Sequence, residues 1–383
     1  MSSQLPGPPG RPDPRRPRPT GIPRPVIAGL AVTLLVGALV ALGLVAGDGP
    51  DGATAGSRTS GGPSAPSWSA RAAARLAALP ALRYTGTFTS NGRTVQAVLS
   101  VTRAGSAVGT LTMGGEQARL VTVDGATYLH GGPSFWAGAT GPATRPEDFA
   151  GRWSKAPVTL LGFDPQDLLS PSAIARAVRG APVTGSTGYV GDRLVHRVET
   201  RQGVYSVTLA EPHDLLQVEG ASNARFAVTA VADAAPVLAE LRRRVAALGG
   251  ARDPGVGFDH GELTFVNCNE NVSGCTLQLP VSVRAPLVAG EPAEAARAVL
   301  VATISADGRA LGSCTGARSV EATGRAVLTC TVTSPGWRAW MRRARDTPGR
   351  HEYTAQARVI GEAVSPDRVR ELLALVDRET PGS

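Results

Sequence analysis

The side chains that most often carry catalysis or metal binding are few in this chain and show no catalytic spacing. Two carboxylate pairs fall in a loop and at a helix start, where acidic groups are usually solvated or capping. The chain also lacks a nucleophile elbow, a phosphate loop and a His-Glu-x-x-His motif. We therefore predict that it is not an enzyme and needs no cofactor or metal. The residues weighed are His130, His196, His213, His260 and His351, with Glu147/Asp148 and Asp164/Asp167.

The four cysteines all lie in the last third of the chain, at Cys268, Cys275, Cys314 and Cys330. Their spacing is not Cys-x-x-Cys and no histidine accompanies them, which argues against a zinc site. An even number of cysteines outside the membrane indicates disulfides, and four cysteines allow three connectivities. We favour Cys268–Cys275 and Cys314–Cys330, because each pair flanks a short polar turn.

The charge of the chain gives little support to nucleic-acid binding. The formal net charge is +8 over 383 residues. About half of this excess comes from arginines that precede residue 26. Outside that tail, arginine and aromatic residues are not densely interleaved, so we predict no nucleic-acid partner.

An apolar run over residues 26–46 predicts a membrane-spanning helix, and with it the compartment of the chain. Its length reaches about 30 Å as a helix, the thickness of a bilayer's hydrocarbon core. Arginines precede it and Asp48 and Asp51 follow, so we expect a cytoplasmic N-terminus and a single-pass anchor in the cell membrane. A cleaved signal peptide is the alternative, but Leu44 stands where a cleavage site wants a small residue. The bulk of the chain is then extracytoplasmic.

Hydropathy and turn signals divide the chain into five parts. Residues 1–25 are predicted as a disordered cytoplasmic tail, 26–46 as the transmembrane helix and 47–67 as a flexible linker. Residues 68–250 then alternate in period two between Gly-containing turns. The predicted strands include 107–113, 116–123 and one that begins at Arg193, and helical insertions begin at Asp164-Pro165 and Ser170-Pro171. Residues 255–383, with the four cysteines, predict an immunoglobulin-like β-sandwich, with helices that begin at Ser334-Pro335 and Ser365-Pro366. The predicted fold class is α+β.

The first of these domains resembles the LppX/LprG-type lipoproteins over residues 70–232. The resemblance rests on the segments 82–88 (LRYTGTF), 109–113 (GTLTM) and 121–129 (VTVDGATYL), and on Phe135-Trp136 and Gly151-Arg152-Trp153. It implies a LolA-like curved antiparallel half-barrel that carries acylated lipids or lipoglycans across the cell envelope. The chain departs from that family in lacking a lipidated cysteine and in having the second domain.

A hollow between a curved sheet and its inserted helices suits a hydrophobic ligand. Each buried CH₂ of an acyl chain contributes about 0.8 kcal/mol, so no polar motif is needed. We therefore expect a non-catalytic, membrane-anchored binding protein for lipids or other hydrophobic ligands. The alternative is a cell-surface scaffold or adhesion protein without a ligand cavity, which contacts an envelope protein or cell-wall partner. The predicted pocket residues are Phe88, Leu99, Met113, Tyr128, Phe135 and Trp136.

Two features of the second domain leave alternatives open. Asn271-Val272-Ser273 matches a glycosylation sequon but is also a typical turn. Trp337 and Trp340 share one helical face beside several arginines, and either pack on the sandwich or form an interfacial helix at anionic lipid headgroups.

Overall fold

The computed structural model describes residues 66–140, 145–181, 186–284 and 295–379. The predicted tail, membrane helix and nearly all of the linker lie outside these ranges. Within the described ranges, no helix combines the length and apolar character needed to cross a bilayer.

The described chain is mostly β-structure, with helices placed between and after the strands. The strands are β1 (Ala81–Ser90), β2 (Arg93–Thr102), β3 (Ala107–Met113), β4 (Glu116–Val123), β5 (Ala126–Gly131), β6 (Trp153–Lys155), β7 (Ser186–Val190), β8 (Arg193–Glu199), β9 (Gly203–Thr208), β10 (Leu215–Gly220), β11 (Ala224–Val231), β12 (Ala251–Asp253), β13 (Phe258–His260), β14 (Thr264–Val266), β15 (Cys275–Val283), β16 (Ala295–Ala306), β17 (Arg309–Glu321), β18 (Arg325–Val332) and β19 (Thr354–Val364). The helices are α1 (Trp68–Ala78), α2 (Pro133–Thr140), α3 (Val158–Leu161), α4 (Pro165–Leu169), α5 (Pro171–Arg179), α6 (Ala235–Ala246), α7 (Pro335–Asp346) and α8 (Pro366–Arg378).

Several helices begin where the sequence predicts, because a capping side chain stands directly before a proline. Asp164 accepts a hydrogen bond from the Gln166 backbone N–H at 2.7 Å and starts α4. Ser170 caps α5 in the same way, and Ser334 and Ser365 cap α7 and α8. The side-chain oxygen satisfies an orphan N–H, and proline at the first helical position loses no hydrogen bond.

One 15-stranded sheet runs through the whole described chain, in the order β17-β16-β19-β12-β6-β5-β4-β3-β2-β1-β11-β10-β9-β8-β7. Its neighbours are antiparallel except at β12 and β6, which meet in parallel at Arg252 and Ser154. A second sheet of four strands has the order β13-β15-β14, and β18 pairs with β15. All these elements belong to one compact unit.

The predicted fold class of a half-barrel followed by a separate immunoglobulin-like sandwich is wrong. β12 and β19 continue the first sheet into the second half of the chain, so one sheet of the supposed sandwich is the end of the large sheet. The reason is that alternation shows which face of a strand is buried, but it does not show which strand lies beside it. The predicted membrane helix is not described, and the residue boundaries of the two domains stay predictions.

Helices cover both faces of the large sheet. The apolar sides of α1, α2, α4 and α5 pack on one face, where Leu120 is buried. On the other face α6 and α8 cover the neighbouring Val121. Because both faces are covered, the second half of β4 is buried at every position rather than at every second one.

A separate core lies between the four-stranded sheet and the strands β16 and β17. It contains the buried residues of β15 and β18 together with Trp337, Trp340 and Met341 of α7. Two disulfides join Cys268 to Cys275 and Cys314 to Cys330, which are the pairs that the sequence analysis favours.

Candidate functional site

The predicted pocket residues are all buried, and they pack as core. Five of them lie in one cluster with the helices of the first face. Tyr128 lies apart from these, in the cluster on the opposite face of the sheet. Burial raises the pKa of Tyr128 to about 12, with a further contribution from the charge of Asp253. The structure therefore does not bring the six residues into one site.

The space around α2 is closely packed with aromatic rings. The ring centroids of Phe135 and Trp136 are 6.1 Å apart, and those of Trp136 and Phe149 are 5.7 Å apart. A Cβ atom built on Gly138 would come within 2.8 Å of the Met113 methyl group. On the same face the Tyr84 hydroxyl donates to the carbonyl of Leu169, which ties α4 to β1. The protein's own side chains thus pack closely around α2, and a ligand pocket beside them stays a prediction.

Among the residues weighed for catalysis, His196 and His213 come close together, with ring centroids 6.4 Å apart. Within the described ranges there is no group of three or more His, Cys, Asp or Glu side chains that could hold a metal ion. Asp148 forms an ion pair with Arg358 at 2.9 Å, and Asp164 is the helix cap already described. These carboxylates act in the fold, in the capping and pairing roles that acidic side chains commonly take.

The structure shows where the two tryptophans and Asn271 lie. Trp337 is fully buried and Trp340 nearly so, and the Trp337 indole N–H donates to the Asn271 carbonyl at 3.2 Å. The two tryptophans therefore pack in the core. Asn271 accepts a hydrogen bond from the Ser273 backbone N–H at 2.9 Å, which is an Asx-turn.

The strongest candidate site is the edge of the large sheet at β7. This strand pairs with β8 through a two-residue turn in which Gly191 has φ +61°. The Leu194 carbonyl accepts from the Leu209 N–H at 3.0 Å, on the side of β8 away from β7. In a strand the N–H and C=O of one residue point to the same side, so Leu194 forms no backbone hydrogen bond with Tyr189 opposite it. The same holds for His196 and Thr187, two residues along. The backbone groups of Thr187 and Tyr189 point out from the sheet edge.

Large apolar side chains lie exposed beside this edge. Tyr189 is 71% exposed, and the nearby Leu194 and Leu209 are also exposed. β7 contains neither a charged residue nor a proline. Natural sheets usually protect an edge with such residues, because bare backbone groups pair readily with another chain.

A cluster of aromatic rings lies beside this edge, around His196 of β8. The rings of Trp68 and His196 stack with centroids 3.7 Å apart and planes 8° apart, and His213 lies 6.4 Å from His196. Arg71 contacts the Nε2 atom of His213 at 3.4 Å and pairs with Glu211. Burial, and next the charge of His213, lowers the pKa of His196. A small cavity of about 280 Å³ adjoins this cluster beside α1 and β10.

The sequence analysis missed β7 and with it this site. A signal was present: Gly191-Asp192 is a two-residue turn directly before the predicted strand at Arg193. The five residues before it, Ser-Thr-Gly-Tyr-Val, contain two β-formers and one glycine, which is a weak strand pattern.

Two solved structures resemble this chain distantly. No protein-family model and no curated protein matches the chain. One solved structure, of the Pseudomonas aeruginosa MucA/MucB complex, matches at 15% identity, covering 72% of this chain and 95% of the other, with a TM-score of 0.21. A second, of MucB in complex with MucA(peri), matches at 13% identity, covering 71% and 94%, also with a TM-score of 0.21. At this level of superposition we base no argument about function on either match.

Proposed function

We propose that this chain is a non-catalytic interaction protein that binds an extended segment of a partner polypeptide along β7. The single observation that carries this proposal is the sheet edge at β7. Within the described ranges no strand pairs with its outer side, the backbone groups of Thr187 and Tyr189 point outward, and apolar side chains lie beside them. A segment that adds a strand gains main-chain hydrogen bonds, and its alternate side chains contact the neighbouring patch.

The partner's chemistry follows from the edge. Main-chain pairing requires a segment in extended conformation with free N–H and C=O groups, so a proline-free peptide fits. The exposed ring of Tyr189 and the side chain of Leu194 favour apolar or aromatic residues at alternate positions of that peptide. Such a partner is an extended protein segment that contacts the surface beside β7.

We also propose that residues 26–46 anchor the chain and that the described part lies outside the cytoplasm. The two disulfides support this placement, because such bridges persist in oxidising compartments. Binding of a lipid by the first half of the chain stays a prediction, to be tested by native mass spectrometry for bound acyl chains.

The experiment uses a peptide display library selected on the full-length chain, with counter-selection on Thr187→Pro. Proline removes the outward N–H of Thr187 but no hydrogen bond to β8, so the hairpin is kept. Thr187→Ala is the matched control, because it changes the side chain and keeps the N–H. The affinity of a selected peptide is then measured by fluorescence anisotropy.

We expect Thr187→Pro to weaken binding by tenfold or more, while Thr187→Ala binds like the original chain. Equal binding by all three proteins, or the failure of the selection to give any peptide that tells them apart, contradicts strand addition at β7.

A further inference from the structure

A strongly basic cavity lies on the face of the large sheet opposite to α1, α2, α4 and α5. It is formed where the end of α6 meets β4, β5 and β6, on the face of the sheet that α6 covers, and its volume is about 420 Å³. The lining residues that matter here are Arg119, Arg152, Arg243, Arg244, His130 and Trp153.

Positive charge predominates in this cavity. Four of its lining side chains are arginines, and one carboxylate, Glu240, lies among them. Glu240 pairs with both Arg243 and Arg244, so it neutralises one charge and leaves an excess of three. Guanidinium groups bind oxyanions through two parallel hydrogen bonds, and arginine remains charged at any physiological pH.

Two of the arginines are held in place by the fold. Arg244 is largely buried and donates to the carbonyls of Gly109 and Leu120 at 2.7 and 2.6 Å. The guanidinium carbon of Arg119 lies 5.8 Å from the ring centroid of Trp153. These contacts hold the two guanidinium groups in position without neutralising their charge, since carbonyls and aromatic rings carry no net charge.

The other two arginines lie at the open side of the cavity, within reach of a ligand. Arg243 extends into solvent with 76% of its side chain exposed, and Arg152 is exposed in the turn before β6. Their long side chains can close on a bound group from the open side of the cavity.

The neighbouring groups respond to this concentration of charge. Burial, and then the charges of Arg119 and Arg243, lower the pKa of Arg244. Burial, and then the charge of Arg119, lower the pKa of His130. An anion placed among these groups reduces their mutual repulsion, which favours its binding.

We propose that this cavity binds the phosphate group of a ligand. An excess of three positive charges favours a multiply charged anion over a single carboxylate, and a phosphate offers oxygens to more than one guanidinium at once. The volume of about 420 Å³ leaves room for a larger group that bears the phosphate. The phosphate belongs either to a soluble compound or to a lipid headgroup. This site is independent of strand addition at β7.

The experiment measures binding to the full-length chain in two arms. In the first arm, inorganic pyrophosphate is titrated by calorimetry at fixed ionic strength. In the second, vesicles of phosphatidylcholine with and without phosphatidic acid are tested by co-sedimentation. The test variant carries Arg152→Gln and Arg243→Gln, both at exposed positions, and Arg309→Gln, at the exposed first residue of β17, is the control.

We expect the double variant to bind at least tenfold more weakly in whichever arm shows binding, while the control keeps its affinity. Pyrophosphate binding in solution identifies a soluble source, and binding to phosphatidic acid vesicles alone identifies a headgroup. An absence of binding in both arms, or an equal loss in the control, overturns the proposal. Far-ultraviolet circular dichroism verifies that each variant is folded.

Discussion

The two edge strands of the large sheet, β17 and β7, differ in what lies beside them. β17 is thirteen residues long, and Cys314 within it is joined to Cys330 of β18, so that edge is held against the four-stranded sheet. β7 is five residues long, and within the described ranges no strand lies on its outer side. The edge at β17, here called the tied edge, packs on the core beneath it. The edge at β7, the open edge, leaves backbone groups and Tyr189 available to a partner.

The contrast extends to the aromatic side chains at each edge. Near β17, Trp337 is fully buried and lies 5.5 Å from Trp340 and from Tyr353, measured between ring centroids. Near β7, Tyr189 is exposed. Aromatic residues at a sheet edge therefore stabilise the fold in one place and are free for recognition in the other.

The largest effect is expected from Trp337→Ala at the tied edge. This change removes a fully buried ring and the hydrogen bond to Asn271, so we expect a loss of about 3–5 kcal/mol in stability. Hydrogen exchange of the β15 amides measures the local free energy. Val327→Ala, at an exposed position, is the control and should change exchange little. Unchanged exchange in Trp337→Ala would mean that the tied edge does not depend on this core.

The second effect concerns the disulfide that ties this edge. Replacing Cys314 and Cys330 by serine releases a loop with a sequence separation of 16. Loop-closure entropy predicts a loss of about 3 kcal/mol. Urea unfolding followed by tryptophan fluorescence measures it, with the Cys268→Ser/Cys275→Ser variant for comparison. Because that second loop has a separation of 7, its loss should be smaller, and the reverse order would contradict this account.

A smaller, pH-dependent effect is expected at the open edge. The pKa of His196 is lowered in the folded chain, mainly by burial. As the pH falls below the ordinary value of 6.5, the unfolded chain takes up a proton first. The stability linked to His196 is therefore fully present above pH 6.5 and is lost as the pH falls through the lower folded pKa.

The measurement is the thermal unfolding midpoint between pH 7.5 and about 5. His196→Gln should show a weaker decline with pH than the original chain. His130 shifts in the same direction, so only the difference between the two proteins reports on His196. Identical pH profiles would exclude His196 as a source of this dependence.

The smallest effect on stability is expected from Tyr189→Ala. An exposed side chain away from caps and cores contributes little, so the free energy of unfolding should change by no more than about 0.5 kcal/mol. Chemical denaturation measures it under the conditions used for the disulfide variants. A loss above about 1 kcal/mol would show that Tyr189 serves the fold, and the contrast between the two edges would then disappear.

Local sequence patterns predicted much of the secondary structure. The strands at 107–113 and 116–123 have the predicted limits, and the helices after Asp164 and Ser170 start at their predicted caps. These features depend on residues within one turn or one strand, so their causes are visible in a short stretch of sequence. β6, β12 and β7 were missed because each is only three to five residues long.

The site was less predictable than the elements. Period-two alternation placed Phe88, Leu99 and Met113 on an inward face, but it could not show whether helices or a ligand would occupy the space opposite. Likewise, the basic cavity brings Arg119 of β4 together with Arg243 of α6, which are distant in sequence. Neither arginine has a local pattern that marks it.

The sequence by itself determined the alternating faces of β1 and β2, the starts of α4, α5, α7 and α8, and the favoured cysteine pairs. Each of these follows from side-chain chemistry acting over a few residues. Only the tertiary structure decided that the second half of the chain extends the first sheet, that β7 is an open edge, and that four arginines share one cavity. Those outcomes depend on which distant segments become neighbours, and this is set by the packing of the whole chain rather than by any local preference.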